Sequence, residues 1–142
     1  MAKQINVFLE NRPGKLEQIT GVLADAAINI LALKITSDDE YGIFQLLVDD
    51  PEQGFRALKQ AGMTASLTDV VAIEVENMPG SLHSVLNVLR QANVNIEDCY
   101  GFVIDKEKRA IIVLDVADRT TAKRALEERG YRIIGSSELY SL

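Results

Sequence analysis

Glu10-Asn11-Arg12-Pro13-Gly14-Lys15-Leu16 returns 66 residues later as Glu76-Asn77-Met78-Pro79-Gly80-Ser81-Leu82. At that offset Val22-Leu23 falls on Val88-Leu89, Ala26 on Ala92, and Asn29-Ile30 on Asn95-Ile96, so that 10 of the 26 positions from Ile5 to Ile30 are identical. Further along the offset becomes 68, placing Val48 on Val116, Asp50 on Asp118, Ala57-Leu58 on Ala125-Leu126 and Gly62 on Gly130. The extra residues fall around Asp105 to Arg109, in a charged hairpin loop where an insertion costs least. The chain of 142 residues is therefore two copies of one unit, read as domains 1–68 and 69–142 joined near Thr68-Asp69.

Each copy carries the same alternation of periods. Ile5, Val7 and Leu9, and then Val71, Ile73 and Val75, recur at every second position, the period of a strand with one buried face. After each Pro-Gly the apolar residues Leu16, Ile19, Val22, Leu23 and Ala26, or Leu82, Val85, Leu86, Leu89 and Ala92, recur at helical spacing. The proline is expected in the first turn, where its missing N–H has no partner to lose. Strands are expected from Ile30 to Thr36, Ile43 to Val48, Ile96 to Ile104 and Ala110 to Val116. Asp50-Pro51 and Asp118-Arg119-Thr120 read as helix N-caps, opening helices that end near Gly62 and Gly130 before a short strand. The order is β-α-β-β-α-β, twice. This is an α+β class: two tandem ferredoxin-like units, each a four-stranded antiparallel sheet with two helices on one face.

Phe44, Leu46 and Val48, with Ile112, Leu114 and Val116, should face those helices. The opposite faces carry Ile43, Leu47, Ile111, Val113 and Phe8, although a sheet covered on one side only should be polar on the other. A second sheet is expected to cover this face, and a homodimer is one way to supply it. The tail Ser137-Glu138-Leu139-Tyr140-Ser141-Leu142 echoes the linker Thr68 to Ile73 and reads as a further strand.

Hydrophobic residues at 47% and charged residues at 25% are the proportions of a folded domain. A net charge of −6 and the absence of a basic run argue against nucleic acid or an anionic membrane as partner. Lys106, Lys108 and Arg109 alternate with Asp105 and Glu107 and read as a solvated hairpin tip. A single cysteine, Cys99, excludes an internal disulfide and fits a reducing compartment. No signal-peptide layout opens the chain and no apolar stretch approaches the ~20 residues that span a bilayer. A cytoplasmic location is expected.

Catalytic constellations are missing from the pattern. His83, just after Leu82, reads as a surface residue, and Cys99 as a small packed one without ligands at metal spacing. No phosphate-binding glycine loop occurs. No enzyme activity, metal or cofactor is expected. The duplicated corner has more chemistry. A helix N-terminus presents unpaired N–H groups and partial positive charge, glycine lets a ligand come close, and Asn11 and Asn77 can both donate and accept. A zwitterion suits such a place, its carboxylate on the helix amides and its ammonium on side-chain and backbone oxygens.

Asn-x-Pro-Gly-x-Leu, then an amphipathic helix, then Asn-Ile at the next strand, resembles the ACT domain, a small amino-acid-sensing module. Both copies carry it, as Asn11-Arg12-Pro13-Gly14-Lys15-Leu16 with Asn29-Ile30 and as Asn77-Met78-Pro79-Gly80-Ser81-Leu82 with Asn95-Ile96. The resemblance covers nearly the whole chain. It implies units set side by side through their second strands, with ligand between one unit's helix-entry loop and the other's second-strand asparagine. Asn11 would then be matched with Asn95, and Asn77 with Asn29. Arg12, Glu97 and Asp98 would gather charge at the first pair, and an exposed Arg12–Glu97 ion pair is the plainer use of those residues.

Serine-sensing members carry a histidine two residues before the loop asparagine, where this chain has Leu9 and Val75. Serine specificity therefore does not transfer; an apolar or aromatic amino acid fits as well, with Tyr100 as a candidate lining residue. The function implied is a non-catalytic sensor that binds a free amino acid and regulates amino-acid metabolism, as a homodimer and with a possible metabolic enzyme partner. The alternative is a regulatory subunit acting in trans on a biosynthetic enzyme through protein contacts.

Overall fold

The computed structural model describes residues 1–106 and 108–141, so that Glu107 of the hairpin tip and Leu142 of the tail lie outside the described residues. The elements run β1 (Ala2–Glu10), α1 (Lys15–Asp25), β2 (Ile30–Ser37), β3 (Tyr41–Val48), α2 (Pro51–Gln60), β4 (Thr64–Glu76), α3 (Ser81–Gln91), β5 (Ile96–Asp105), β6 (Arg109–Val116), α4 (Arg119–Glu128), β7 (Arg132–Ile134) and α5 (Ser136–Tyr140). The chain divides into two compact units, Lys3–Thr68 and Asp69–Tyr140. Met1 and Ala2 group with the second, where Ser136 Oγ donates to the Met1 carbonyl at 2.7 Å. The 13-residue strand β4 contains the division between Thr68 and Asp69.

In the first unit the antiparallel strands lie in the order β2-β3-β1-β4. Asn6 Nδ2 donates to Thr68 Oγ1 at 2.8 Å where β1 meets β4. The second unit repeats the order as β5-β6-β4-β7. β2 and β5 are thus the border strands of their own units. Both units are ferredoxin-like, with both helices on one sheet face.

The cores follow from the two periods. Ile5, Val7, Phe44, Leu46 and Val48 meet Ile19, Leu23 and Leu58 from the helices. Val71, Ile73, Ile112, Leu114 and Val116 meet Val85, Leu89 and Leu126 in the same way. Leu16 and Leu82, expected on the buried stripe, remain 39% and 45% exposed. They stand on the opening turn of their helices, beyond the edge of this packing.

Three expectations change. Pro13 and Pro79 lie outside their helices, because Gly14 and Gly80 are the N-caps, with φ 87° and 89°. A residue at such φ cannot be helical, so each helix starts only after it. Leu47, Ile111 and Val113 on the far faces are fully buried within the single chain, so their burial requires no second copy; Phe8 and Ile43 stay exposed. The tail forms α5 instead of a strand: Leu139 N–H donates to the Gly135 carbonyl at 3.0 Å, a helical bond, and the Leu139 side chain is fully buried. Among the described residues no helix is long and apolar enough to cross a membrane.

Candidate ligand-binding site

Arg12-Pro13-Gly14-Lys15 and Met78-Pro79-Gly80-Ser81 are the same tight turn. Lys15 N–H donates to the Arg12 carbonyl and Ser81 N–H to the Met78 carbonyl, each at 3.3 Å. Glycine at φ 87°, ψ −11° and φ 89°, ψ −11° is the third position of a type II turn, which proline at the second position favours. A Cβ on either glycine would meet nothing within 4 Å. The backbone angle, not crowding, is what requires glycine here.

The turn leaves both helices without a side-chain cap. The other helix of each unit is different. Asp50 Oδ1 accepts from Gln53 N–H at 3.1 Å and Asp118 Oδ1 from Thr121 N–H at 3.0 Å. Thr121 lowers the Asp118 pKa below the usual carboxylate range, first through its hydroxyl and then through its N–H. Thus α2 and α4 are closed by carboxylates, and α1 and α3 at the duplicated corners are not.

Asn11 and Asn77 pin the corner to the neighbouring hairpin. Asn11 Nδ2 donates to the Asp38 carbonyl at 2.8 Å and its backbone N–H to the Glu40 carbonyl at 2.8 Å. Asn77 Nδ2 donates to the Lys106 carbonyl at 2.6 Å and its backbone N–H to the Lys108 carbonyl at 3.0 Å. Asp38 in turn organises its own hairpin: its carboxylate accepts from Tyr41 and Glu40 N–H groups at 2.9 Å, which hold its pKa below the ordinary value. The loop asparagines thus spend donors on the protein itself, while each Oδ1 is chemically an acceptor suited to an ammonium.

Asn29-Ile30 and Asn95-Ile96 stand at the other ends of α1 and α3. Eleven helical residues place about 16 Å between the ends of each helix, so a small amino acid cannot touch both asparagines of one unit. Asn29 N–H donates to Asp49 Oδ1 at 2.9 Å, its carbonyl accepts from Asp49 N–H at 3.0 Å, and the Asn95 carbonyl accepts from Ala117 N–H at 3.1 Å. Both residues are exposed. Arg12 pairs with Glu10 at 2.9 Å, two neighbours on one exposed turn, for little net energy.

Concavities lie beside both corners; one of about 550 Å³ is lined by Met78, Pro79, Gly80, Ser81 and Tyr131. In the first unit a groove of about 310 Å³ runs along Phe8 to Glu10, Lys15, Tyr41 and Met63. In the second a hollow of about 330 Å³ opens between Met78 and Leu82 on one side and Cys99, Gly101, Val103 and Ile112 on the other. Cys99, Gly101 and Val103 pair with Leu114, Ile112 and Ala110 and so share the sheet face toward the helices. Tyr100 pairs with Val113, on the alternate side of the strand, and it too borders the hollow. Cys99 and Gly101 were not among the expected site residues. The available signal was their contrast with Leu33 and Ile35, at the same positions of the first copy. Among the described residues no group of three His, Cys, Asp or Glu side chains is placed to hold a metal.

Residues 1–141 match the model of the ACT domain pair. The chain is 36% identical to protein BT0572 from Bacteroides thetaiotaomicron, whose crystal structure superposes with a TM-score of 0.93 over 99% of this chain and 96% of that one. The regulatory subunit of aspartate kinase from Thermus thermophilus, in a ligand-free form, superposes with a TM-score of 0.68 at 17% identity, over 91% of this chain and 93% of that one. The corresponding subunit from Thermus flavus gives 0.59 at 17% identity, over 89% and 90%. At that identity the two likenesses concern the fold alone. No curated protein matches the sequence.

Proposed function

The chain belongs to the ACT-domain-pair family, and from that premise we propose that it is a regulatory protein that binds a free amino acid at its Asn-x-Pro-Gly corners and has no catalytic role of its own. The observation that carries this reading is the uncapped start of α1 and α3, beside α2 and α4 capped by Asp50 and Asp118. Amides left in this way suit a ligand carboxylate. The chain's two ACT domains are taken as residues 1–68 and 69–142. Asn11 and Asn77 supply oxygen to the ammonium, and the ligand's remaining contacts come from Asn29 or Asn95 of another unit, since the helix length keeps a unit's own asparagine away. Occupancy acts by favouring one state of association, with this chain's own copies or with an enzyme of amino-acid metabolism, by its differential affinity for the two states.

Calorimetry with each common amino acid at millimolar concentration tests this. At least one should bind, and Asn29→Ala or Asn95→Ala should weaken it without loss of folding, because their side chains are exposed and their backbones make the structural bonds. Silence across the panel removes the reading.

Self-association is part of the proposal. Phe8 and Tyr41, their rings 6.4 Å apart, lie with Ile43 as an exposed apolar group on the first unit's far face. Light scattering should show a dimer at micromolar concentration that Phe8→Ser weakens; a monomer at every concentration would remove this element.

A further inference from the structure

The two units part company where their border strands pass the start of the helices. On the helix side of β2, Leu33 and Ile35 pair with Leu46 and Phe44, and their side chains stand 55% and 42% exposed. The equivalents on β5 are Cys99 and Gly101, paired with Leu114 and Ile112. One branched side chain has become a thiol and the other has vanished. The vacancy at Gly101 is built in: a Cβ there would lie 2.8 Å from the Ile111 carbonyl oxygen, too close to be relieved without moving backbone. Both residues line the hollow of about 330 Å³ that reaches from Cys99 and Gly101 to Met78 and Leu82 at the repeated corner.

We propose that this hollow receives the side chain of the amino acid held at the Glu76–Leu82 corner, and that Cys99 and Gly101 make the second unit selective for apolar side chains from valine to phenylalanine in size. The inference rests on the amino-acid-binding reading above. The polar lining, Glu76, Asn77 and Ser81, belongs to the corner itself, whereas Met78, Leu82, Val103 and Ile112 offer a hydroxyl or carboxylate no side-chain partner, so a polar side chain lying among these four would lose water uncompensated. Apolar side chains gain by leaving water. The volume is at the low end of small-ligand sites, about 300–1,000 Å³, which suits one amino acid and not a peptide. In the first unit Leu33 and Ile35 stand at the equivalent place, so that unit lacks the selectivity.

Cys99 is the chain's sole cysteine and reports on the hollow directly. Calorimetry with L-valine, L-leucine, L-isoleucine, L-methionine and L-phenylalanine should show binding at least about tenfold tighter than with L-serine, L-aspartate or L-lysine. The best of the five should slow iodoacetamide labelling of native Cys99 several-fold. Cys99→Leu should weaken that amino acid at least about tenfold with the thermal midpoint preserved, and Leu33→Ala should leave it within about twofold. If an amino acid binds but neither Cys99 labelling nor the Cys99→Leu affinity changes, the inference fails and the regulatory reading stands. If none binds, both fail. The labelling arm uses the native chain and decides the matter even if Cys99→Leu does not fold.

Discussion

Asn77 donates its side-chain amide to the Lys106 carbonyl at 2.6 Å, and Asn11 makes the same bond to Asp38 at 2.8 Å in the other unit. The residue that most resembles a ligand contact is therefore also a clamp between the first loop of its unit and the hairpin. Asn11→Ala and Asn77→Ala should each lower stability by about 1 kcal/mol, the net worth of a neutral hydrogen bond. Urea unfolding at neutral pH measures it; a loss confined to one variant would mean that only one clamp matters in solution.

Gly14 and Gly80 face open space and differ by two degrees in φ. Replacement by alanine should cost about 1–2 kcal/mol at either site, the penalty of left-handed backbone, with nearly equal values for the two. Unequal thermal midpoints would show that one corner has a further constraint.

Ala27, just past α1, has φ 57°. It sits inside a helix-ending bond pattern, with Ile28 N–H to the Leu23 carbonyl at 2.9 Å and Ala27 N–H to the Ala24 carbonyl at 3.0 Å. Glycine is the residue suited to that position. Ala27→Gly should stabilise the chain by about 1 kcal/mol. Asn93, the equivalent at φ 56°, tolerates this backbone better, so Asn93→Gly should gain less in the same denaturation series.

Asp115 has its pKa raised by burial, and then by Glu97 and Asp98, with Arg119 opposing. Its folded value exceeds the unfolded 3.8, so its favourable contribution is present below 3.8 and is lost as pH rises through the folded value. Asp115→Asn should then raise stability at pH 7 and give no gain at about pH 3. A variant equally stabilised at both pH values would place the effect in packing.

Asp118 behaves in the opposite sense. Its folded pKa is depressed by Thr121, so its contribution is present above the unfolded value of 3.8 and disappears as pH falls through the folded one. Thr121→Val, which removes the hydroxyl but keeps the N–H, should shrink the acid limb of a stability–pH curve without abolishing it.

The repeat, the order of elements and the helix-facing halves of both cores were legible because they are written in near-neighbour spacing and in one repeated turn. Pro-Gly and Asp-Pro look alike as helix openers, but Pro51 is the first residue of α2 whereas Pro13 and Pro79 precede a glycine whose positive φ postpones the helix.

What the amino-acid order determined unaided was local: where backbone must turn, where the apolar period changes from two to about 3.6, and that the same unit occurs twice. Only the tertiary structure decided that Asn11 and Asn77 spend a donor on carbonyls 27 and 29 residues away, that Leu47, Ile111 and Val113 are buried in the single chain, and that Cys99 and Gly101 line a hollow beside the second corner. The physical reason is that period and turn chemistry are properties of adjacent residues. Burial, hydrogen-bond satisfaction and empty volume depend on which distant atoms are brought near.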